Sequence, residues 1–334
     1  MIIKNYLFDL DKSSFIKKGS DSIRIYGIGY IIKKIYVELK KYKSISEIEN
    51  EFKTHQIFSN WILNKNGVPI QTLYSLHIYW QSICNKSIEE FEASWEKCYK
   101  EGIYFGCMNG KKIKLPKEID FKLAYLLGYI IGDGHLADPN VTYDRFTSYN
   151  SEIRITDQNK ETFIFLAGLF KDLFNYKPMI YCEMSKSNKP FYRFVIKSKP
   201  IHRFLMIVCG IPVGDKRGKT KIPKIIMNSE LELQKWFISG FFDADGCITH
   251  IKSRWPVITI TQYSQEILKE ILIISLKLGV HWKGPYSYKY KYNNCTIKIY
   301  RRIEVQRFLN IIPSLNPIKI QQREVLWNKL KITS

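Results

Sequence analysis

No run in this chain reaches the roughly 18 uninterrupted apolar residues that a membrane-spanning helix needs, so no membrane partner is expected. The opening residues Met1 to Lys12 include Lys4, Asp9 and Asp11 and lack the apolar core of a secretory signal. The seven cysteines, at 84, 98, 107, 182, 209, 247 and 295, are odd in number and contain no C-x-x-C pair. That excludes a zinc ribbon and a disulfide framework, and it points to a reducing, intracellular setting: cytoplasm or nucleoid, or an organelle in a eukaryote. Acid is also scarce. There are 31 Asp and Glu against 52 Lys and Arg, a net charge of +21. Such an excess calls for an anionic partner, and nucleic acid is the usual one. Hydrophobic residues make up 45% of the 334, enough to give two or three domains a core and to exclude wholesale disorder.

Residues 1–114 read as a separate helical unit. Ile31, Ile35 and Leu39 recur at helical spacing between Tyr30 and Lys41. Ser44-Ile45-Ser46-Glu47 is a capping-box pattern opening a short helix through Phe52. A third helix is expected from His55 to Leu63, ended by Asn66-Gly67 and kept from resuming by Pro69. Three short helices with a tight turn before the last resemble a helix-turn-helix DNA reader. Lys111-Lys112-Ile113-Lys114 reads as a basic connector ahead of Pro116.

From residue 116 the chain repeats itself. Glu152 to Thr156 is a strand pattern leading into an apolar helix from Lys160 to Phe174, and Val257 to Thr261 leads into Gln265 to Leu278 in the same way. Two strand-like runs follow each helix, Pro178–Met184 with Tyr192–Lys197, then Pro285–Tyr292 with Cys295–Arg301. Each pair leads into a further helix, marked by Ile201-His202-Arg203-Phe204-Leu205 and Val305-Gln306-Arg307-Phe308-Leu309. Both copies then reach a proline-containing loop and a lysine, Lys216 and Lys319. The order helix, two strands, helix, two strands, helix occurs twice, in repeats spanning 115–225 and 226–334. It predicts a pseudo-twofold molecule.

Each copy begins with one short segment, Leu126-Leu127-Gly128-Tyr129-Ile130-Ile131-Gly132-Asp133-Gly134 or Ile238-Ser239-Gly240-Phe241-Phe242-Asp243-Ala244-Asp245-Gly246. Small residues four apart, Gly128 with Gly132 and Gly240 with Ala244, share one helix face and let two backbones approach closely. Gly134 and Gly246 fit the left-handed stop after a helix. Each helix ends on an aspartate, at the negative end of its dipole. Two such helices packed together bring Asp133 and Asp245 into like-charge conflict, which a divalent cation relieves. Oxygen-only ligands with no His or Cys cluster nearby suit Mg²⁺, and metals held between carboxylates and phosphate oxygens activate water for phosphodiester hydrolysis.

These paired segments resemble the two motifs of single-chain LAGLIDADG homing endonucleases, over about residues 116–331. The resemblance implies an α+β fold in which two αββαββα halves form a DNA-binding saddle, with the motif helices packed at their interface. It implies that Asp133 and Asp245, with the preceding Gly132 and Ala244, form the metal site. Ile131 departs from the family pattern where Asp243 keeps it, at a position that is not a metal ligand. The family's basic active-site residue corresponds to Lys319 and, through the internal repeat, to Lys216, with Lys221 as a nearby competitor; a lysine there would steady the transition state. The sheet faces should supply DNA contacts from Arg154, Arg193, Lys197, Arg254, Lys289, Lys291 and Lys298, to base edges or to phosphates. Strand alternation sets Arg193, Val195 and Lys197 opposite Tyr192, Phe194 and Ile196. His135 and His250 are read as structural or DNA-facing.

The expected function is metal-dependent double-strand cleavage of one long asymmetric DNA site by a monomer, intron-encoded or free-standing. An RNA-splicing maturase, with intron RNA as partner, and a non-catalytic DNA-binding regulator are the alternatives on the same fold. Met1 in place of Cys or Ser, and an end at Lys331–Ser334 without a His-Asn pair, point away from an intein.

Overall fold

The structure is a computed structural model that describes residues 9–10, 22–52, 57–139, 151–185, 187–249, 256–288 and 294–332. These divide into two compact units. One is drawn from Ile3–Leu115 with Ser198–Phe204, the other from Pro116–Lys197 with Leu205–Ser334. The short segment Ser198–Phe204, which lies inside the first repeat in sequence, thus belongs to the N-terminal unit.

The N-terminal unit contains β1 (Arg24–Tyr26), α1 (Gly29–Leu39), α2 (Ile45–Glu51), α3 (Ile57–Ile62), β2 (Val68–Pro69), α4 (Ile70–Cys84), α5 (Ile88–Gly102) and β3 (Tyr104–Gly106). The anticipated helices form. α1 buries Ile31, Ile35 and Leu39 along one stripe. The capping box also closes, with Glu47 N donating to Ser44 Oγ at 3.3 Å and Ser44 N to Glu47 Oε2 at 2.7 Å. Pro69 does the reverse of what its sequence position predicts. It sits just before α4, where its fixed φ suits a helix start and its missing N–H costs nothing. A three-stranded antiparallel sheet, β2-β1-β3, completes the unit. The basic run 111–114 is part of that sheet's edge, because Ile113 exchanges two 2.8 Å backbone hydrogen bonds with Phe105.

The second unit opens with α6 (Phe121–Asp133), β4 (Gly134–Leu136), β5 (Glu152–Asp157), α7 (Lys160–Phe174), β6 (Met179–Met184) and β7 (Pro190–Lys197). The chain then passes through α8 (Lys199–Arg203) and a π-helical turn at Phe204–Val208, where the first repeat's closing helix was expected. The second half runs α9 (Lys224–Met227), α10 (Leu231–Asp245), β8 (Gly246–Thr249), β9 (Val257–Gln262), α11 (Gln265–Lys277), β10 (Lys283–Tyr288), β11 (Asn294–Ile299), α12 (Arg302–Ile311) and α13 (Pro317–Ile332). Each half carries a four-stranded antiparallel sheet, in the order β4-β5-β7-β6 and β8-β9-β11-β10. The fold is α+β, and the duplicated order is the one the sequence predicts.

Each sheet buries one face. Ile153, Ile155, Phe194 and Ile196 turn inward in the first half, where Phe163 of α7 stacks on Phe194 with ring centroids 5.5 Å apart. Ile258, Ile260, Ile297 and Ile299 do so in the second, over Ile267 and Ile271 of α11. The opposite faces, led by His135, Arg154 and Arg193 in one half and Cys247, Thr259 and Lys298 in the other, are free of this core packing.

The motif helices α6 and α10 pack against each other at the centre of this unit. Leu123 through Ile131 are buried without interruption, as a helix surrounded on all sides requires. The small residues permit the approach: a Cβ on Gly128 would fall on the carbonyl of Phe237, and one on Gly240 on the carbonyl of Tyr125. The glycines after the helices are not left-handed stops, because Gly134 and Gly246 have φ of −78° and −76° with extended ψ. They are small because the chain turns back against its own helix. A Cβ on Gly134 would lie 2.6 Å from the carbonyl oxygen of Ile130, and one on Gly246 would enter the Phe242 ring.

Candidate active site

The C-terminal ends of α6 and α10 touch. A Cβ placed on Gly132 would lie 2.5 Å from the Ala244 methyl and 2.9 Å from Asp245 Oδ2. This contact brings Asp133 and Asp245, 112 positions apart in sequence, to one place.

Both lysines expected from the repeat arrive there. Lys216 Nζ donates to the carbonyl oxygens of Ile130, Ile131 and Gly132 at 3.2, 2.6 and 2.5 Å, covering orphan carbonyls at the end of α6. Lys319 Nζ donates to Gly246 O at 2.5 Å, just past α10. Lys221 does not join them. It is exposed and pairs with Glu266 at 2.7 Å.

Sequence reasoning missed a further side chain. Gln262, the last residue of β9, donates its amide to Asp245 Oδ2. Its counterpart at the end of β5 is Asp157, whose Oδ1 accepts from Asn159 N at 3.0 Å. The equivalence of the two strands is the available signal, since both end on a polar residue. Tyr129 was also unremarked. Its hydroxyl is buried with no hydrogen-bond partner, and burial, then Asp133, Asp157, Asp243 and Asp245, raise its pKa.

The electrostatics are those of an acidic centre short of positive charge. Asp133 keeps solvent access, yet the surrounding protein, and next the charge of Asp245, push its carboxyl up to about 7. Burial pushes Asp245 up to about 6, against the opposing pull of Lys216 and Gln262. Burial also depresses Lys216, to about 8. Raised carboxylates crowded at one point, beside an unpartnered buried hydroxyl, fit a hard divalent cation with oxygen ligands. Asp133 and Asp245 would hold it. No group of three or more His, Cys, Asp or Glu able to hold a metal occurs among the described residues, so phosphate oxygens or backbone carbonyls near Gly132 and Ala244 would have to complete the coordination. The Gly132 carbonyl already accepts from Lys216.

A stability profile follows. From the ordinary carboxylate value of 3.8 up to about 7, the folded chain holds protons that the unfolded chain has released, so stability falls as pH rises. Between about 8 and 10.5 the unfolded chain holds the proton that Lys216 sheds when folded, so stability recovers. The centre is least favourable near neutrality. Between pH 5 and 7.5, with Asp133 discounted for solvent screening, the loss amounts to about 1–2 kcal/mol. In EDTA the melting temperature should drop by roughly 2–8 °C between pH 5 and 7.5, and Mg²⁺ should restore it at pH 7.5 while doing little at pH 5. An equal Mg²⁺ shift at both pH values would contradict this electrostatic picture.

The expected DNA-facing residues separate into two groups. Arg154, Arg193, Lys197 and Lys298 lie on the faces turned away from the cores. Arg154 pairs with Glu152 and Arg193 with Glu183, both at 2.5 Å, while Lys298 lies 4.7 Å from the ring centroid of Tyr286. Arg254, Lys289 and Lys291, like His250, lie outside the described residues. His135 is on the open face of the first sheet, opposite Arg154.

Residues 232–313 match the family model of the LAGLIDADG-like domain. Among curated proteins, the isomerizing glutamine–fructose-6-phosphate aminotransferase of Methanocaldococcus jannaschii is 27% identical over 186 residues, which cover 55% of this chain and 15% of that protein. The tRNA-splicing ligase RtcB of Pyrococcus furiosus is 31% identical over 154 residues, covering 45% and 16%. The chain therefore spans only 15% and 16% of the length of these relatives. Among solved structures, I-DmoI in complex with DNA and Mn is similar with 19% identity and a TM-score of 0.43, over 57% of this chain and 96% of that one.

Proposed function

We propose that this chain, which carries a LAGLIDADG-like domain over residues 232–313, is a site-specific DNA endonuclease of the homing type that cuts both strands of one long asymmetric site. The observation that carries the reading is the convergence of Asp133 and Asp245 from two duplicated helices, each end held by a lysine. Its matched relatives also support it. An aminotransferase and a tRNA-splicing ligase share no reaction, so a segment similar to parts of both brings an activity of its own.

In this reading Asp133 and Asp245 would hold a divalent cation. The bound cation would lower the pKa of the attacking water and neutralise charge on the leaving oxygen. Gln262 orients Asp245 through its amide. Lys216 and Lys319 fix the helix ends and place positive charge beside the oxygens where the pentavalent transition state gathers negative charge. The open sheet faces lie along the duplex, and Lys197 and Lys298 meet phosphates or bases there. Two unlike halves in one chain suit a non-palindromic site and a monomeric enzyme. The helix-turn-helix-like N-terminal unit would lengthen the footprint.

The test is cleavage of a pooled genomic duplex library by the full chain in Mg²⁺, with break ends mapped. Discrete breaks at one asymmetric sequence are expected. Salt-sensitive binding without breaks would favour the regulator, and selective binding of structured RNA would favour the maturase.

A further inference from the structure

The two sheets present different chemistry on their open faces. In the first, cross-strand register sets Arg154 between His135 and Val195, and Arg193 between Thr156 and Tyr181. Each arginine is held by a carboxylate of the same open face. Arg154 gives both Nε and Nη2 to Glu152 Oε1, at 3.0 and 2.5 Å, and Arg193 gives Nη2 to Glu183 Oε1 at 2.5 Å while its guanidinium lies 5.5 Å from the ring centroid of Tyr181. Arg154 is 43% exposed and Arg193 34%. Pairing through Nε and Nη2 leaves Nη1 of Arg154 outside that ion pair.

Among its described residues the second sheet has nothing equivalent. Its open face, read from the register, carries Thr249 and Val257, then Cys247, Thr259, Lys298 and Lys283, then Thr261, Thr296 and Tyr286. Among the described residues of that face there is no arginine and no carboxylate. Thr261 and Thr296 spend their hydroxyls on each other at 2.9 Å, and Lys298 rests over Tyr286.

The chemistry of base edges turns this contrast into a sequence preference. A guanidinium fork matches the O6 and N7 acceptors of guanine, and the half-exposed Glu183 can accept from the N4 amino group of the paired cytosine, whereas the buried Glu152 serves to hold its arginine. An arginine already held by a neighbour also loses less side-chain freedom on binding. Threonine hydroxyls meet either base type, and the ammonium groups of Lys283 and Lys298, which can also reach the guanine acceptors, lack the planar fork and so discriminate less strictly than a braced arginine. We infer that Arg154–Glu152 and Arg193–Glu183 are two readers of G·C pairs, so that the half-site under the first repeat is fixed at two G·C positions, a demand that the described residues of the second sheet do not match. This rests on the endonuclease reading, which supplies the duplex.

The test is selection of bound duplexes from a randomised library by the full chain in EDTA, where binding is read without cutting. Native protein should select two fixed G·C positions on one side of the site. Arg154→Gln and Arg193→Gln should each relax one of them, by about tenfold in base preference, and leave the rest of the selected sequence intact. Arg193→Lys keeps the charge and the ion pair but not the fork. It should weaken the preference for the same guanine while holding its affinity for random duplex, which separates base reading from a folding defect or lost charge. Thr259→Val should leave both positions fixed. If both positions survive the arginine substitutions, the ion pairs only brace the sheet and this inference falls while the endonuclease stands. If native protein selects no duplex sequence, the endonuclease reading falls and takes this inference with it.

Discussion

Gly240→Ala should melt well below the native protein, although alanine favours a helix by up to about 1 kcal/mol over glycine. The added methyl would overlap the carbonyl oxygen of Tyr125 and lie close to its carbonyl carbon and Cα, all backbone atoms of the facing helix. A side chain can rotate aside, but a buried helix backbone cannot move without separating the two halves. Gly128→Ala meets the same obstacle from the other side, at the carbonyl of Phe237 and 2.8 Å from the amide nitrogen of Phe241. Overpacking of this kind costs about 3 kcal/mol, or roughly 6–12 °C in a unit of this size. Gly168→Ala in α7 is the control. Its methyl meets nothing within 4 Å, so it should gain a few tenths to 1 kcal/mol from helix propensity alone. Thermal melts of the three variants decide the matter, and a Gly240→Ala protein as stable as Gly168→Ala would mean that α6 and α10 are not in backbone contact.

Asp243→Ala should cost as much or more, although this residue sits two positions from Asp245 and belongs to a separate hydrogen-bonded cluster. Its carboxylate is 2% exposed. It accepts from Tyr125 Oη at 2.7 Å, from Ser314 Oγ at 2.7 and 2.8 Å, and from the backbone N–H groups of Leu315 and Asn316 at 3.1 and 3.2 Å. Burial raises its pKa, while those donors and nearby Arg323 hold it down. One side chain thus joins α10, the loop before α13, and α6 of the other half. Truncation leaves four donors stripped of their acceptor in a dry site, at a cost of about 3–5 kcal/mol. Asp243→Asn keeps the shape and one oxygen and should lose roughly half of that. Urea unfolding of both variants checks the order, and an alanine variant within 1 kcal/mol of native would show that the hub is dispensable.

Asp243 also marks the limit of what the sequence alone reveals. The duplication, the two motif helices, the strand-helix order and the pairing of Asp133 with Asp245 follow from local spacing repeated twice. Helix α7 begins and ends on the residues its periodicity names. The identity of Ile131 against Asp243 is visible in sequence, but the reason for it is not. Ile131 is buried at 2% exposure, and the partner of Asp243, Tyr125, comes from 118 positions away. Gln262 escaped notice for the same reason, since only folding brings a strand's last residue to the end of a helix. In the N-terminal unit the error was one of sign. Pro69 stops a helix or starts one, and its neighbours settle which. Leu73, Leu76, His77 and Trp80 carry the stripe that would have identified α4. The ion pairs of Arg154 and Arg193 were likewise out of reach, because they depend on which strands lie side by side.

The most direct measurement is cleavage of the mapped library by native chain, Asp133→Asn and Asp245→Asn, each in Mg²⁺ and in EDTA, with thermal melts run alongside. Breaks are expected for the native chain in Mg²⁺ alone, with a loss of at least about a hundredfold in each variant, and in EDTA near neutral pH the variants should melt at or above the native temperature because a like charge has left a crowded centre. Cutting that persists in either folded variant, or that proceeds in EDTA, would contradict the claim that these two aspartates form one metal-dependent centre.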